Sequence, residues 1–234
     1  MAELSPREKG FAASAPGLAD YVASTFVTDD PVLAEVRQRA DAAGLPHIHV
    51  SPFDTRMLEV IARATGARKI VEIGTLAGYS GISLARALPV GRTPSEVVLH
   101  TFEYEPKHAE VARESFERAG VSDRVVIHVG PALSNLPSIE NQGPFDLVFI
   151  DADKENYPNY LSWAQQHLRV GGTVLVDNAL AWGQLGLPAA TRDAKRTSAI
   201  EAIHAVNSAL GAPQGPWRSI MLPTGEGLAM GVKF

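Results

Sequence analysis

KIVEIGTLAGYSGISLAR, residues Lys69 to Arg86, carries the first decision about the fold. Ile70, Val71 and Ile73 form an apolar run that does not alternate with polar residues, so it reads as a strand buried on both faces. Gly74 and Gly78 bracket a turn. Ile82, Leu84 and Ala85 then follow in a helical pattern from about Tyr79 to Leu88. A buried strand, a glycine-rich turn and a helix make half of a βαβ unit.

The same unit recurs downstream. VVLHTF (Val97 to Phe102) reads as a strand, followed by a helix from Pro106 to about Ala119. RVVIHV (Arg124 to Val129) leads to a short helical piece from Ala132 to Leu136, and DLVFID (Asp146 to Asp151) to a helix from Tyr157 to Leu168. Gly171-Gly172 reads as a turn into TVLVD (Thr173 to Asp177), and a loop then reaches a long helix from about Arg192 to Leu210. Units of this length take right-handed crossovers, which predicts an α/β fold with a doubly wound, mostly parallel sheet. The end differs: RSIMLP, TGEG and LAMGVKF read as strand, turn and strand, an antiparallel C-terminal hairpin.

Upstream, residues 1–15 have no period and read as an arm. A short helix spans Leu18 to Val27. Asp29 or Asp30 caps the next one, with Pro31 in its first turn and Gly44 at its end. LPHIHV (Leu45 to Val50) is an extended connector. Ser51-Pro52-Phe53-Asp54 is a capping signature for a helix that carries Met57, Leu58, Val60 and Ile61 and ends at Gly66. The division is an N-terminal helical extension, 1–50, and a main domain, 51–234, within one folding unit.

Composition narrows the function. Of 234 residues, 45% are hydrophobic and 20% charged, close to a globular average. Lys and Arg number 21 against 26 Asp and Glu, a net charge of −5, which argues against a protein that neutralises phosphate backbones. No cysteine is present, so thiolate nucleophiles, zinc–thiolate sites and disulfides are excluded. No signal-peptide pattern and no apolar run of about 20 residues appears. The expectation is a soluble, cytoplasmic protein without a membrane segment.

In doubly wound sheets ligands sit beyond the carboxyl ends of the strands. After the first strand, Glu72-Ile73-Gly74-Thr75-Leu76-Ala77-Gly78-Tyr79-Ser80 is neither G-x-G-x-x-G nor a P-loop. Nor is it a nucleophile elbow around Ser80. Its glycines still admit a ligand close to the backbone, and Glu72 suits an ammonium group better than a pyrophosphate. Glu103, at the tip of the second strand, suits a ribose diol; Glu105, further into the turn, is the weaker candidate. Asp151 and Asp177 end two strands expected to be neighbours, with Asn178 beside them. Two carboxylates and an amide oxygen suit Mg²⁺, Mn²⁺ or Ca²⁺.

Together these stretches resemble the cation-dependent class I O-methyltransferases, the group of catechol and caffeoyl-CoA O-methyltransferases and many small bacterial enzymes. VEIGTLAGYSGISLA is similar to that family's first motif. FDLVFIDADKENYPNY resembles its metal-and-lysine motif, and VLVDNALAWGQL its second metal motif. The resemblance runs in order from about Val50 to Phe234. It implies a Rossmann-like methyltransferase fold that uses S-adenosylmethionine. Glu72 and the Gly74–Thr75 backbone would hold the methionine end, with Ser80 reaching the carboxylate. Glu103 would take the ribose hydroxyls, Ala132 would border the adenine, and Val50 and Asp151 would line the cofactor. Asp151, Asp177 and Asn178 would hold the cation, and Lys154 would be the general base. His49 and Trp182 are candidates for the acceptor wall. One departure stands out: Thr55-Arg56 replaces the Gly-Gln common in relatives.

The implied reaction is methylation of a phenolic small molecule with vicinal hydroxyls. A free phenol ionises only near a pKa of about 10, so a cation that favours the phenolate and a base at Lys154 are what the chemistry needs. Two alternatives stay open: methylation of a hydroxylated base in RNA, disfavoured by the net charge, and a cofactor-binding regulatory protein without turnover. The resemblance also implies a homodimer, and the apolar Leu18, Tyr21, Val22, Phe26 and Val27 suit a partner surface.

Overall fold

Strand and helix alternate from Lys69 onward. The strands are β1 (Lys69–Ile73), β2 (Val98–Glu103), β3 (Val125–Val129), β4 (Phe145–Ile150), β5 (Leu168–Val176), β6 (Trp217–Leu222) and β7 (Leu228–Lys233). The helices are α1 (Leu18–Phe26), α2 (Pro31–Ala42), α3 (Pro52–Ala64), α4 (Tyr79–Ala87), α5 (Pro106–Arg118), α6 (Ala132–Asn135), α7 (Tyr157–His167) and α8 (Thr197–Leu210). The computed structural model describes residues 17–27, 30–91, 93 and 96–234. The arm over residues 1–15 and the alternative cap Asp29 lie outside them.

One seven-stranded sheet has the order β3-β2-β1-β4-β5-β7-β6. β1 to β5 are mutually parallel, and β7 inserts antiparallel between β5 and β6. Side chains alternate across each strand, so each face has its own core. On one face Ile70, Leu99, Leu147, Phe149 and Leu175 meet α2 to α5 through Leu33, Val36, Leu58, Ile82, Leu84 and Phe116. On the other, Val71, Phe102, Val148, Ile150, Val174 and Val176 meet α7 and α8 through Tyr157, Leu161, Ile200, Ile203 and Val206. Leu58 is fully buried; truncating such a residue to alanine costs about 2–5 kcal/mol.

Caps fall where the residue types place them. Asp30 accepts from Val32 N and Leu33 N, and Ser51 accepts from Asp54 N; each is worth about 0.5–2 kcal/mol.

Three expectations change. Gly171-Gly172 is not a turn before a strand. β5 already pairs at Leu168 with Phe145, then skips to Thr173 opposite Leu147, so the two glycines form a bulge inside it. Gly171 stands at φ 76, and a side chain on Gly172 would press on the Arg169 carbonyl. α8 starts at Thr197, because Asp193 accepts from Lys195 N and opens a separate 3₁₀ turn, Ala194–Arg196, ahead of it. β3 is not covered on both faces: it is the sheet edge, and Val126 and Val129 are exposed. Among the described residues no helix is long and apolar enough to cross a membrane.

Candidate active site

A cavity of about 1090 Å³ opens at the carboxyl ends of β1, β2, β4 and β5. Twelve of the residues singled out from sequence line it: His49, Val50, Gly74, Thr75, Ser80, Glu103, Ala132, Asp151, Lys154, Asp177, Asn178 and Trp182. Glu72 does not.

At the end nearer β1 and β2, the chain leaves β1 through Gly74, at φ 103. A side chain there would collide with the Asp151 carbonyl oxygen, so the turn after β1 lies directly against the strand end of β4. Thr75 N and Leu76 N donate to Glu103 Oε2 at 3.3 and 2.7 Å, and Glu105 N donates to Oε1 at 3.0 Å. His108 Nδ1 lies 3.3 Å from the same Oε1. Glu103 thus already holds the glycine turn in shape. A carboxylate has about four acceptor positions, so a diol there shares Glu103 with the backbone.

Glu72 faces inward. Its carboxylate accepts from Ser80 Oγ at 2.7 Å and from Thr101 Oγ1 at 2.6 Å, and it is fully buried. Burial, reinforced by the charges of Asp151 and Glu103, pushes its carboxyl up to about 7 despite those bonds. The reason is register: Glu72 pairs across β1 and β2 directly with Thr101. Ser80 is correspondingly turned to Glu72. An ammonium reaches this carboxylate only if the Ser80 hydroxyl gives way.

At the end nearer β4 and β5, the ladders run past the strand ends. Asp151 N donates to the Ile73 carbonyl at 2.8 Å and Asp177 N to the Ile150 carbonyl at 3.0 Å. The two acids therefore stand on neighbouring strand tips. Asp177 is buried, and burial together with the Asp151 charge pushes its carboxyl up. Lys154 Nζ lies 2.9 Å from Asp151 Oδ1 and 2.6 Å from Tyr157 Oη. Tyr157 is fully buried; burial and the charges of Asp151, Asp177 and Asp153 hold its phenol well above the ordinary range, so it stays protonated. Asn178 stands at φ 54, and Ala181 and Trp182 at φ 48 and 53. Left-handed Ala and Trp are strained, and such strain persists only where the surroundings over-determine it. Arg196 stacks 4.3 Å from the Trp182 ring centroid.

Among the described residues no cluster of three or more His, Asp or Glu is placed to hold a metal ion. The set read from sequence has two carboxylates and an amide oxygen, and that donor chemistry fits a hard divalent cation. Excess negative charge at a buried point, with one nearby ammonium already paired to Asp151, also fits one.

His47 is exposed and pairs with Asp41, while His49 lines the cavity with both ring nitrogens buried and without a hydrogen-bond partner. Burial, then the nearby Arg37 charge, lowers its pKa. Asp54, His108, Tyr157 and Glu226 are contributors that sequence reasoning missed. Tyr157 had a signal in its three-residue spacing from Lys154. In sequence Asp54 stands only as a capping acid. Glu226 had none, since it reaches the site through a distant turn.

The chain is 49% identical over 185 residues to a catechol O-methyltransferase of Mycobacterium tuberculosis, covering 79% of this chain and 80% of that one. It is 44% identical over 160 residues to a catechol O-methyltransferase of Niastella koreensis, covering 67% and 69%. An O-methyltransferase from Bacillus cereus, solved in complex with SAH, superposes with a TM-score of 0.81 at 36% identity, covering 92% of this chain and 96% of that one. The sequence profile described as O-methyltransferase matches residues 23–234, and with it the chain belongs to the O-methyltransferase family.

Proposed function

We propose that this chain transfers a methyl group from S-adenosylmethionine to one hydroxyl of a small molecule with vicinal phenolic hydroxyls, with a divalent cation such as Mg²⁺ at Asp151, Asp177 and Asn178. The observation that carries the reading is the gathering of these three residues and Lys154 at one end of a cavity whose other end holds Glu103 and the glycine turn. The names of the Mycobacterium and Niastella relatives support the acceptor class, and the ligand of the Bacillus structure supports the cofactor.

The cation, when bound, favours the ionised form of an acceptor hydroxyl. This chain's residues do the rest. Glu103 and the Thr75–Leu76 backbone orient the cofactor's ribose, and Val50 and Ala132 exclude water from its flanks. Lys154, entering the step as the neutral amine, takes the hydroxyl proton at Nζ, and the hydroxyl oxygen gains the methyl group as that group's bond to the sulfonium sulfur breaks. Tyr157, protonated and hydrogen-bonded to Lys154, fixes where that nitrogen stands. Trp182 and His49 wall the acceptor side. Holding both partners in line supplies much of the rate.

The test is a methyl-transfer assay over mono- and ortho-dihydroxy phenols, with Mg²⁺ present or chelated. Ortho-diols should be methylated, chelation should abolish turnover, and Mg²⁺ should restore it. Full turnover in excess chelator would remove the cation, and equal rates on monohydroxy phenols would remove the diol. The same reading includes a homodimer, for which the exposed Tyr21 and Phe26 of α1 are available. Light scattering should give twice the chain mass of 25.0 kDa, and a mass equal to one chain counts against it.

A further inference from the structure

Glu226 belongs to the turn between β6 and β7, far in sequence from the cation residues, yet it lines the cavity beside them. Its place is over-determined by backbone. Ala179 N donates to the Gly227 carbonyl at 2.9 Å and Leu180 N to the Glu226 carbonyl at 3.0 Å. Asn207 Nδ2 ties the other side, donating to the Ala179 carbonyl at 2.7 Å. Gly227, at φ 78, has no room for a side chain, because a Cβ there would press into Leu180. With the backbone so held, the Glu226 carboxylate meets the Asn178 side chain, and Asn178 Nδ2 donates to Glu226 Oε2.

That contact has a chemical consequence. An asparagine amide presents either its oxygen or its NH₂ to a given point, and only the oxygen ligates a hard cation. A carboxylate only accepts hydrogen bonds. It therefore binds the NH₂ and leaves the oxygen for the other side. We propose that Glu226 is a positioning residue that selects the amide orientation of Asn178, turning Oδ1 toward Asp151 and Asp177. The inference rests on the cation reading above and adds a residue to it. Outer partners of this kind typically govern metal affinity by about 10–100-fold.

The experiment measures Mn²⁺ binding to the full chain by the electron paramagnetic resonance of free Mn²⁺, with S-adenosylhomocysteine affinity measured in parallel as a control for folding. Four proteins are compared: wild type, Glu226→Gln, Asn178→Asp and the double variant. A glutamine both donates and accepts, so it no longer selects the amide. Glu226→Gln should weaken Mn²⁺ about 10–100-fold and leave S-adenosylhomocysteine affinity unchanged. An aspartate at 178 has no NH₂ to misplace and repels Glu226. In that background Glu226→Gln should leave Mn²⁺ affinity unchanged or raise it. Equal weakening in both backgrounds would overturn the inference, since Glu226 would then act on the cation through its own charge. Unchanged Mn²⁺ affinity in Glu226→Gln would overturn it as well. Wild-type protein that takes up no Mn²⁺ would instead remove the cation reading, and this inference with it.

Discussion

The two ends of the cavity are built in opposite ways. The end at β1 and β2 is closed on itself: Glu103 accepts from three backbone N–H groups, and Glu72 is enclosed by Ser80 and Thr101. The end at β4 and β5 is left under electrostatic tension, with buried Asp177 beside Asp151 and with Ala181 and Trp182 in left-handed backbone. One end is a preformed cradle held by groups near in the sheet. The other is a charged pocket held by a turn from the far end of the chain. A cradle suits a ligand bound the same way at every turnover, whereas unbalanced charge suits a site whose work is to move a proton.

That contrast is most exposed at Lys154. Lys154→Ala should slow the chemical step about 10²–10⁴-fold, read in single turnovers, with cofactor and Mn²⁺ affinities near wild type. The loss should shrink as pH approaches the ionisation of a free phenol near 10. Lys154→Arg should not rescue, because guanidinium stays protonated; an Arg variant near wild type would make Lys154 a fixed charge and the pocket purely electrostatic. Glu103→Ala tests the cradle. Removing hydrogen bonds to a charged acceptor should cost roughly 1.5–3 kcal/mol of S-adenosylhomocysteine affinity by calorimetry, while Mn²⁺ binding holds. Joint loss of both ligands would show that the ends are not separable.

Beneath the cradle, buried His100 shares a 3.0 Å hydrogen bond with His128. Burial first, then the His128 charge, brings His100 down from 6.5 to about 4, and burial lowers His128 too. Between those values the unfolded chain binds protons that the folded chain refuses. Stability should therefore be full above pH 6.5 and fall as pH drops toward 4, by on the order of 2 kcal/mol. Denaturant midpoints that stay flat across that window, or that fall equally in His100→Gln, would clear the pair of this role. The smallest effect is expected at the pocket wall. Arg196→Ala removes a cation–π contact worth about 0.5–1 kcal/mol, which should raise the acceptor KM about two- to fivefold and leave cofactor affinity alone. A matching loss of cofactor affinity would show that Trp182 serves both ends.

The cradle and the two acidic strand tips were legible because their signals are local. β4 and β5 sit mid-sheet, so the runs that lead to their tips, Leu147–Ile150 and Thr173–Val176, are buried and mostly apolar, and an acid at each tip stands out. β3 could not be recognised as the edge, since strand order does not show in a strand's own pattern. The Gly171-Gly172 bulge read as a turn because a bulge and a turn ask the same freedom of a glycine. Glu72 read as cavity-facing because its partner Thr101 is fixed only by inter-strand register. Glu226 was invisible for the same reason at longer range: its tie to Asn178 exists only once β7 lies beside β5.

The direction of β7 has a consequence of its own. β5 ends at the cavity, so an antiparallel neighbour must begin there, and β6 must end there. The short connection between the last two strands is thereby delivered to the working end of the sheet. One more parallel strand in that place would start at the opposite end, and its entry loop would lie a full strand length away. Reversing a single strand gives this chain a loop that belongs to no βα unit and sits within reach of the reaction.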